Sequence, residues 1–126
     1  MAKIQSYKDI IAWQKAHELV LCTYKITQTL PTTEKFNLIS QMRRAVVSVS
    51  SNIVEGFARR TVNDSLYFYN ISRASLNELE YQFMICKDLG YISEDVYNEA
   101  YQFCRLVGSL VYRWAESQKN NSINSK

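Results

Sequence analysis

One proline and three glycines are the only strong chain breakers in 126 residues. That scarcity limits the fold more than any other feature. Sandwiches and barrels of this size turn about every 8–12 residues and rely on glycine and proline to do so. A chain this poor in breakers fits few connections and long helices. Its length matches one domain with a real core. The 47% apolar and 21% charged content keeps it within the ordinary globular class rather than the disordered or membrane-embedded ones.

Three breaks divide the chain into four amphipathic segments. Pro31 is the first, flanked by Thr29, Thr32 and Thr33; Arg60 to Asp64 is the second; Gly90, followed by Ser93, is the third. A first helix is expected from about Asp9 to Thr29, with Ala16, Leu19, Val20, Thr23, Ile26, Thr27 and Leu30 in one stripe. The residue before a proline is pushed out of the helical region, so Pro31 stops it. The third helix is expected to be capped by Asn63, Asp64 or Ser65, with Tyr69, Ser72, Leu76, Leu79, Phe83 and Cys86 inside. Gly90 suits the left-handed position after that helix. Ser93 caps the fourth, and Glu94 and Asp95 suit its positive end. Its stripe is Val96, Ala100, Phe103, Val107, Leu110 and Trp114. Short connections make sequential helices antiparallel, so the expected fold is all-α, an up-down-up-down antiparallel four-helix bundle. Residues 1–118 form the single bundle domain and 119–126, Lys-Asn-Asn-Ser-Ile-Asn-Ser-Lys, a flexible C-terminal tail.

The second segment is the ambiguous one. Within Ser40 to Arg60, Val47-Ser48-Val49-Ser50 alternates like a strand. Yet Ile39, Met42, Val46, Val49, Ile53 and Phe57 recur at helical steps over a far longer stretch, so length decides for helix. A second line, Gln41, Arg44, Ser48, Asn52, Glu55 and Arg59, runs along another side of it. Serine and asparagine are poor helix formers and tend to sit inside helices where something nearby bonds them. The facing helix offers Arg73, Ser75, Glu78 and Gln82. The expected arrangement is a structural polar network of Gln41, Arg44, Ser48, Asn52, Glu55, Arg73, Ser75 and Glu78, with Arg44 paired to Glu55.

The run Gln41-Met42-Arg43-Arg44-Ala45, then Ser48, then Ser51-Asn52-Ile53-Val54-Glu55-Gly56, resembles the signature of the 23S rRNA-intervening-sequence proteins, a bacterial four-helix-bundle family. Tyr7-Lys8-Asp9-Ile10 with Trp13 and Ala16, Leu30-Pro31, Ser75 to Glu80, and Leu89 to Ile92 resemble it too. The family often has proline where this chain has Ser50. The resemblance covers roughly residues 6 to 115. It implies a ring-shaped homopentamer and a role in binding RNA or another nucleic acid, and it brings no catalytic residue with it. The accessory proteins of diversity-generating retroelements are more distantly similar. They suggest an alternative, an adaptor that partners a nucleic-acid enzyme such as a reverse transcriptase without touching nucleic acid.

The net charge of +3 permits nucleic-acid contact without demanding it. The expected phosphate contacts are Arg43, Arg59 and Arg60, with Lys35 and Lys15 adding to the surface. Nine tyrosines could stack on bases, though core and interface positions suit most of them better. Phe36, Val47 and Val54, off the main stripe, and Trp13, Tyr24, Phe68 and Trp114 are candidates for subunit contact. Catalysis has little to stand on. The one histidine, His17, belongs to no Glu-x-x-His pair, and no metal spacing, phosphate loop or nucleophile elbow occurs. No cofactor or metal is expected. Cys22, Cys86 and Cys104 read as small buried hydrophobes. The N-terminus carries no signal-peptide pattern and no apolar run nears about 20 residues, which points to a cytoplasmic protein.

Overall fold

The computed structural model describes residues 3–124. Four α-helices make the fold, α1 (Ile11–Thr27), α2 (Ser40–Phe57), α3 (Val62–Asp88) and α4 (Glu94–Asn124), and the described residues include no strand. Each helix start has a local cause. Asp9 does not open α1, because its carboxylate turns back to accept from Ser6 N and closes a capping box on the short turn Tyr7–Asp9. The helix therefore begins two residues later than the sequence suggests. Leu38 is buried in a wide helical turn, Lys35–Ile39, that leads into α2. The cap of α3 is Thr61 rather than Asn63, Asp64 or Ser65: its hydroxyl accepts from Asp64 N at 3.2 Å. Ser93 caps α4 through Val96 N at 3.1 Å, and Gly90 has the left-handed φ of 77° its place requires. The last helix runs to Asn124, past the expected end at 118, since nothing after Trp114 breaks a helix. Residues 125–126 of the expected tail lie outside the described residues.

Contacts fix the topology. Met42 meets Cys86, Ser48 meets Ser75, Val49 meets Ser72 and Gly56 meets Ser65, so α2 and α3 run antiparallel along their whole length. Arg73 lies against Tyr112, Leu76 against Gly108 and Lys87 against Tyr97, which makes α3 and α4 antiparallel too. The first helix packs on α2 and, less extensively, on α4, which closes the bundle. The two loops at one end are joined by the Tyr91 hydroxyl, which donates to Glu34 at 3.0 Å. That bond holds the phenol's proton and pushes its pKa up.

The core follows the expected stripes in α1, α2 and α3. Met42, Val46, Val49 and Ile53 are fully buried, as are Leu19, Leu79 and Phe83. The fourth helix differs. Its buried line is Ala100, Cys104, Val107 and Val111, while Val96, Phe103, Leu110 and Trp114 are half-buried at its margin. A 3.5-residue repeat drifts around a straight helix of 3.6 residues per turn, so the apolar pattern and the buried face part company along a helix this long. Two buried serines on α3 set how closely it approaches α2. Ser72 Oγ donates to Val49 O and Ser65 Oγ to Gly56 O, both at 2.7 Å.

Candidate nucleic-acid interface and polar seam

The polar stripe of α2 faces α3 at its centre only. Ser48 and Ser75 hydroxyls meet at 2.8 Å, and Asn52 Nδ2 donates to Ser48 O at 2.8 Å and to Ser48 Oγ at 3.0 Å. These three half-buried residues are the network. Around them Gln41, Arg44 and Glu78 line a shallow cavity of about 240 Å³ between the helices. Gln82 Nε2 reaches Glu78 at 3.3 Å. The expected Arg44–Glu55 pair does not form. Eleven residues of helix separate them by about 16 Å, beyond the reach of both side chains. Glu55 instead pairs with Arg59, one turn away, at the exposed surface. Such a pair contributes a few tenths of a kcal/mol, about 0.3–0.5. Arg73 also leaves the network, because its guanidinium lies over the ring of Tyr112 on α4, 5.1 Å from the centroid.

The five expected phosphate contacts do not form one patch. Lys15 pairs with Glu18 at 2.9 Å on α1. Arg59 is held by Glu55 and lies over Phe68 at 4.6 Å. Arg60, in the loop after α2, is exposed. Arg43 sits in the first turn of α2 and Arg59 just beyond its last residue, Phe57, so the length of the helix separates them. Arg43 is partly a structural residue: its Nε donates to Thr27 Oγ1 at 2.9 Å and its guanidinium lies 4.6 Å over Tyr24, tying α2 to α1.

At that end a concentration does form. Lys35, Arg43 and Arg44 line an open groove of about 510 Å³ beside Tyr24, Phe36 and Val47. Phe36 is 88% exposed, far beyond what a core-forming residue would be. Lys35 sits 5.4 Å over its ring. Lys35, Phe36, Arg43, Arg44 and Val47 share one face of the continuous helical stretch that runs from the Lys35–Ile39 turn into α2, and Tyr24 of α1 closes its side. The other apolar candidates for contact are less open. Trp13 is half-buried, stacked on His17 at 5.1 Å and edge-on to Tyr7 at 4.9 Å, and Val54, Phe68 and Trp114 are half-buried as well.

Two of the three cysteine thiols are buried. Burial pushes the Cys104 thiol up to about 12 and the Cys86 thiol up to about 11, so neither supplies thiolate near neutrality. Cys22 is half-buried and its thiol is raised also, first by burial and then by Glu99. Among the described residues no three His, Cys, Asp or Glu side chains gather where they could hold a metal ion. No described helix is long and apolar enough to cross a membrane.

A crystal structure of a protein of unknown function from the S23 ribosomal protein family of Bacteroides thetaiotaomicron is similar in fold. Its TM-score is 0.77 at 21% identity, over 83% of this chain and 98% of that one. No curated protein sequence matches the chain. The family model for the 23S rRNA-intervening sequence protein matches residues 8–113, which span all of α1, α2 and α3 and most of α4. The chain belongs to the 23S rRNA-intervening sequence protein family.

Proposed function

We propose that the protein is a non-catalytic, cytoplasmic scaffold that assembles as a homopentameric ring and binds single-stranded RNA at the α1–α2 groove. The observation that carries this reading is the grouping of Lys35, Arg43 and Arg44 around the exposed ring of Phe36. Cations that track phosphates beside an open aromatic face that stacks on a base are what binding of single strands requires. Arg44 has no carboxylate within ion-pair distance among the described residues, so its charge is available. A ring would repeat the groove around an axis and multiply the modest +3 charge of one chain. The pentamer rests on the family resemblance, and the exposed Leu21 and Ile11, away from the groove, are compatible with subunit contact.

Replacing Lys35 and Arg44 together with Ala should weaken binding of a fluorescein-labelled oligouridylate at low salt by about tenfold and flatten its salt dependence by about 1.4 in log–log slope. Fluorescence anisotropy measures both. Neither residue is buried, so melting should not change. Equal affinity for parent and variant would remove the groove from the binding surface. If the parent binds no RNA at all, Phe36 and its neighbours become a contact for a protein such as a reverse transcriptase.

A further inference from the structure

A second groove, between α3 and α4, carries unpaired charge that the α1–α2 reading leaves unused. Its volume is about 650 Å³. The floor is low because Gly108 has no side chain; a Cβ there would already stand 3.2 Å from Leu76 Cδ2. Above the floor lie Arg73 and Asn77 from α3 and Arg105, Ser109 and Tyr112 from α4. Among the described residues neither arginine has a carboxylate within ion-pair distance.

The arginines are spaced along the groove rather than gathered. Arg73 faces Tyr112, and Arg105 stands seven residues before Tyr112, about 10 Å along the helix axis. That is three steps of a stacked nucleic-acid strand at about 3.4 Å each. Each arginine lies over a tyrosine ring, Arg73 over Tyr112 at 5.1 Å and Arg105 over Tyr101 at 6.0 Å. A guanidinium near an aromatic ring still has N–H donors to fork onto a phosphate. Tyr112 is 49% exposed; Arg73 covers one face of its ring, so a base would take the other, and Asn77 and Ser109 offer donors and acceptors to base edges. Glu80 also lines the groove; a carboxylate there repels phosphate and accepts from a base N–H, so it directs a strand's bases, not its backbone, to that spot.

We infer that the α3–α4 groove is a second single-stranded RNA site, with Arg73 and Arg105 on phosphates and Tyr112 under a base. This deepens the reading of the protein as an RNA binder and rests on it. In a bundle ordered α1-α2-α3-α4 around its axis, this groove lies on the side opposite the α1–α2 groove, so the two sites fill independently.

Isothermal titration with an oligouridylate about six nucleotides long, near the lower end of known single-strand site sizes, separates them. The parent should bind two oligomers per chain. At oligomer concentrations that fill only an unaltered site, Arg73→Ala/Arg105→Ala should bind one, and Lys35→Ala/Arg44→Ala, whose groove is about tenfold weaker, should bind one. Adding Arg73→Ala/Arg105→Ala to the latter pair should abolish binding. A paired Arg73→Ala/Arg105→Ala variant that still binds as many oligomers as the parent overturns the second site while leaving RNA binding intact. A parent that binds one oligomer, lost only in Arg73→Ala/Arg105→Ala, supports the second site and overturns the first. A parent that binds none overturns both. Arg73→Lys/Arg105→Lys keeps the charge but not the fork, and should retain weakened binding at the second site.

Discussion

Gly56→Ala is expected to lower stability by about 2–3 kcal/mol, although the same change in an ordinary helix interior stabilises by up to about 1 kcal/mol. The reversal comes from one neighbour. A Cβ on residue 56 would fall inside the van der Waals envelope of the Tyr69 ring, 2.8 Å from Cδ1 and 2.9 Å from Cζ. Tyr69 is 1% exposed, so its ring has no free volume to swing into. Ser65 also bonds to the Gly56 carbonyl, which resists separation of the two helices there. Thermal melting by circular dichroism should show a fall of about 10 °C. Gly56→Ala/Tyr69→Leu should be closer to Tyr69→Leu alone than the sum of the two single changes, because the smaller side chain removes the clash. An unchanged melting temperature for Gly56→Ala would mean that α2 and α3 are not packed as closely at this end as their contacts indicate.

Phe83→Ala should cost more, about 3–5 kcal/mol. Phe83 is wholly buried and belongs to a core cluster drawn from all four helices, including Leu19, Met42, Leu79 and Val107. No single side chain can move into the void without leaving its own neighbours, so the lost burial and the cavity add together. Urea unfolding would show a lower midpoint with an unchanged slope. A loss below about 1 kcal/mol would mean that the helices collapse readily around residue 83, and that the core is looser than its burial suggests.

The helices themselves were legible because each rests on local periodicity and local breakers. Pro31, Gly90 and Ser93 act where their chemistry predicts. The buried line of α4 was less so: Val96, Phe103, Leu110 and Trp114 fit a heptad as well as Cys104 and Val111 fit the real face, and only packing against three other helices decides between them. The polar seam was half legible. Ser48, Asn52 and Ser75 do meet, since poor helix formers inside a helix signalled a partner. The Arg44–Glu55 pair failed because both residues share a stripe but not a turn. The basic surface was least legible. Charge shows in a sequence, but whether an arginine is free or occupied depends on its surroundings. Arg43 is tied to Thr27, and Arg59 to Glu55, while Arg73 and Arg105, which lie on different helices, line one groove.

Native mass spectrometry of the protein with and without a single-stranded oligouridylate tests the central claim most directly, because it reads assembly and binding from the same ions. The account predicts a principal species of five times the 14.7 kDa chain, carrying bound oligomer that is shed as salt rises. A 14.7 kDa monomer that carries no RNA at low salt would contradict it.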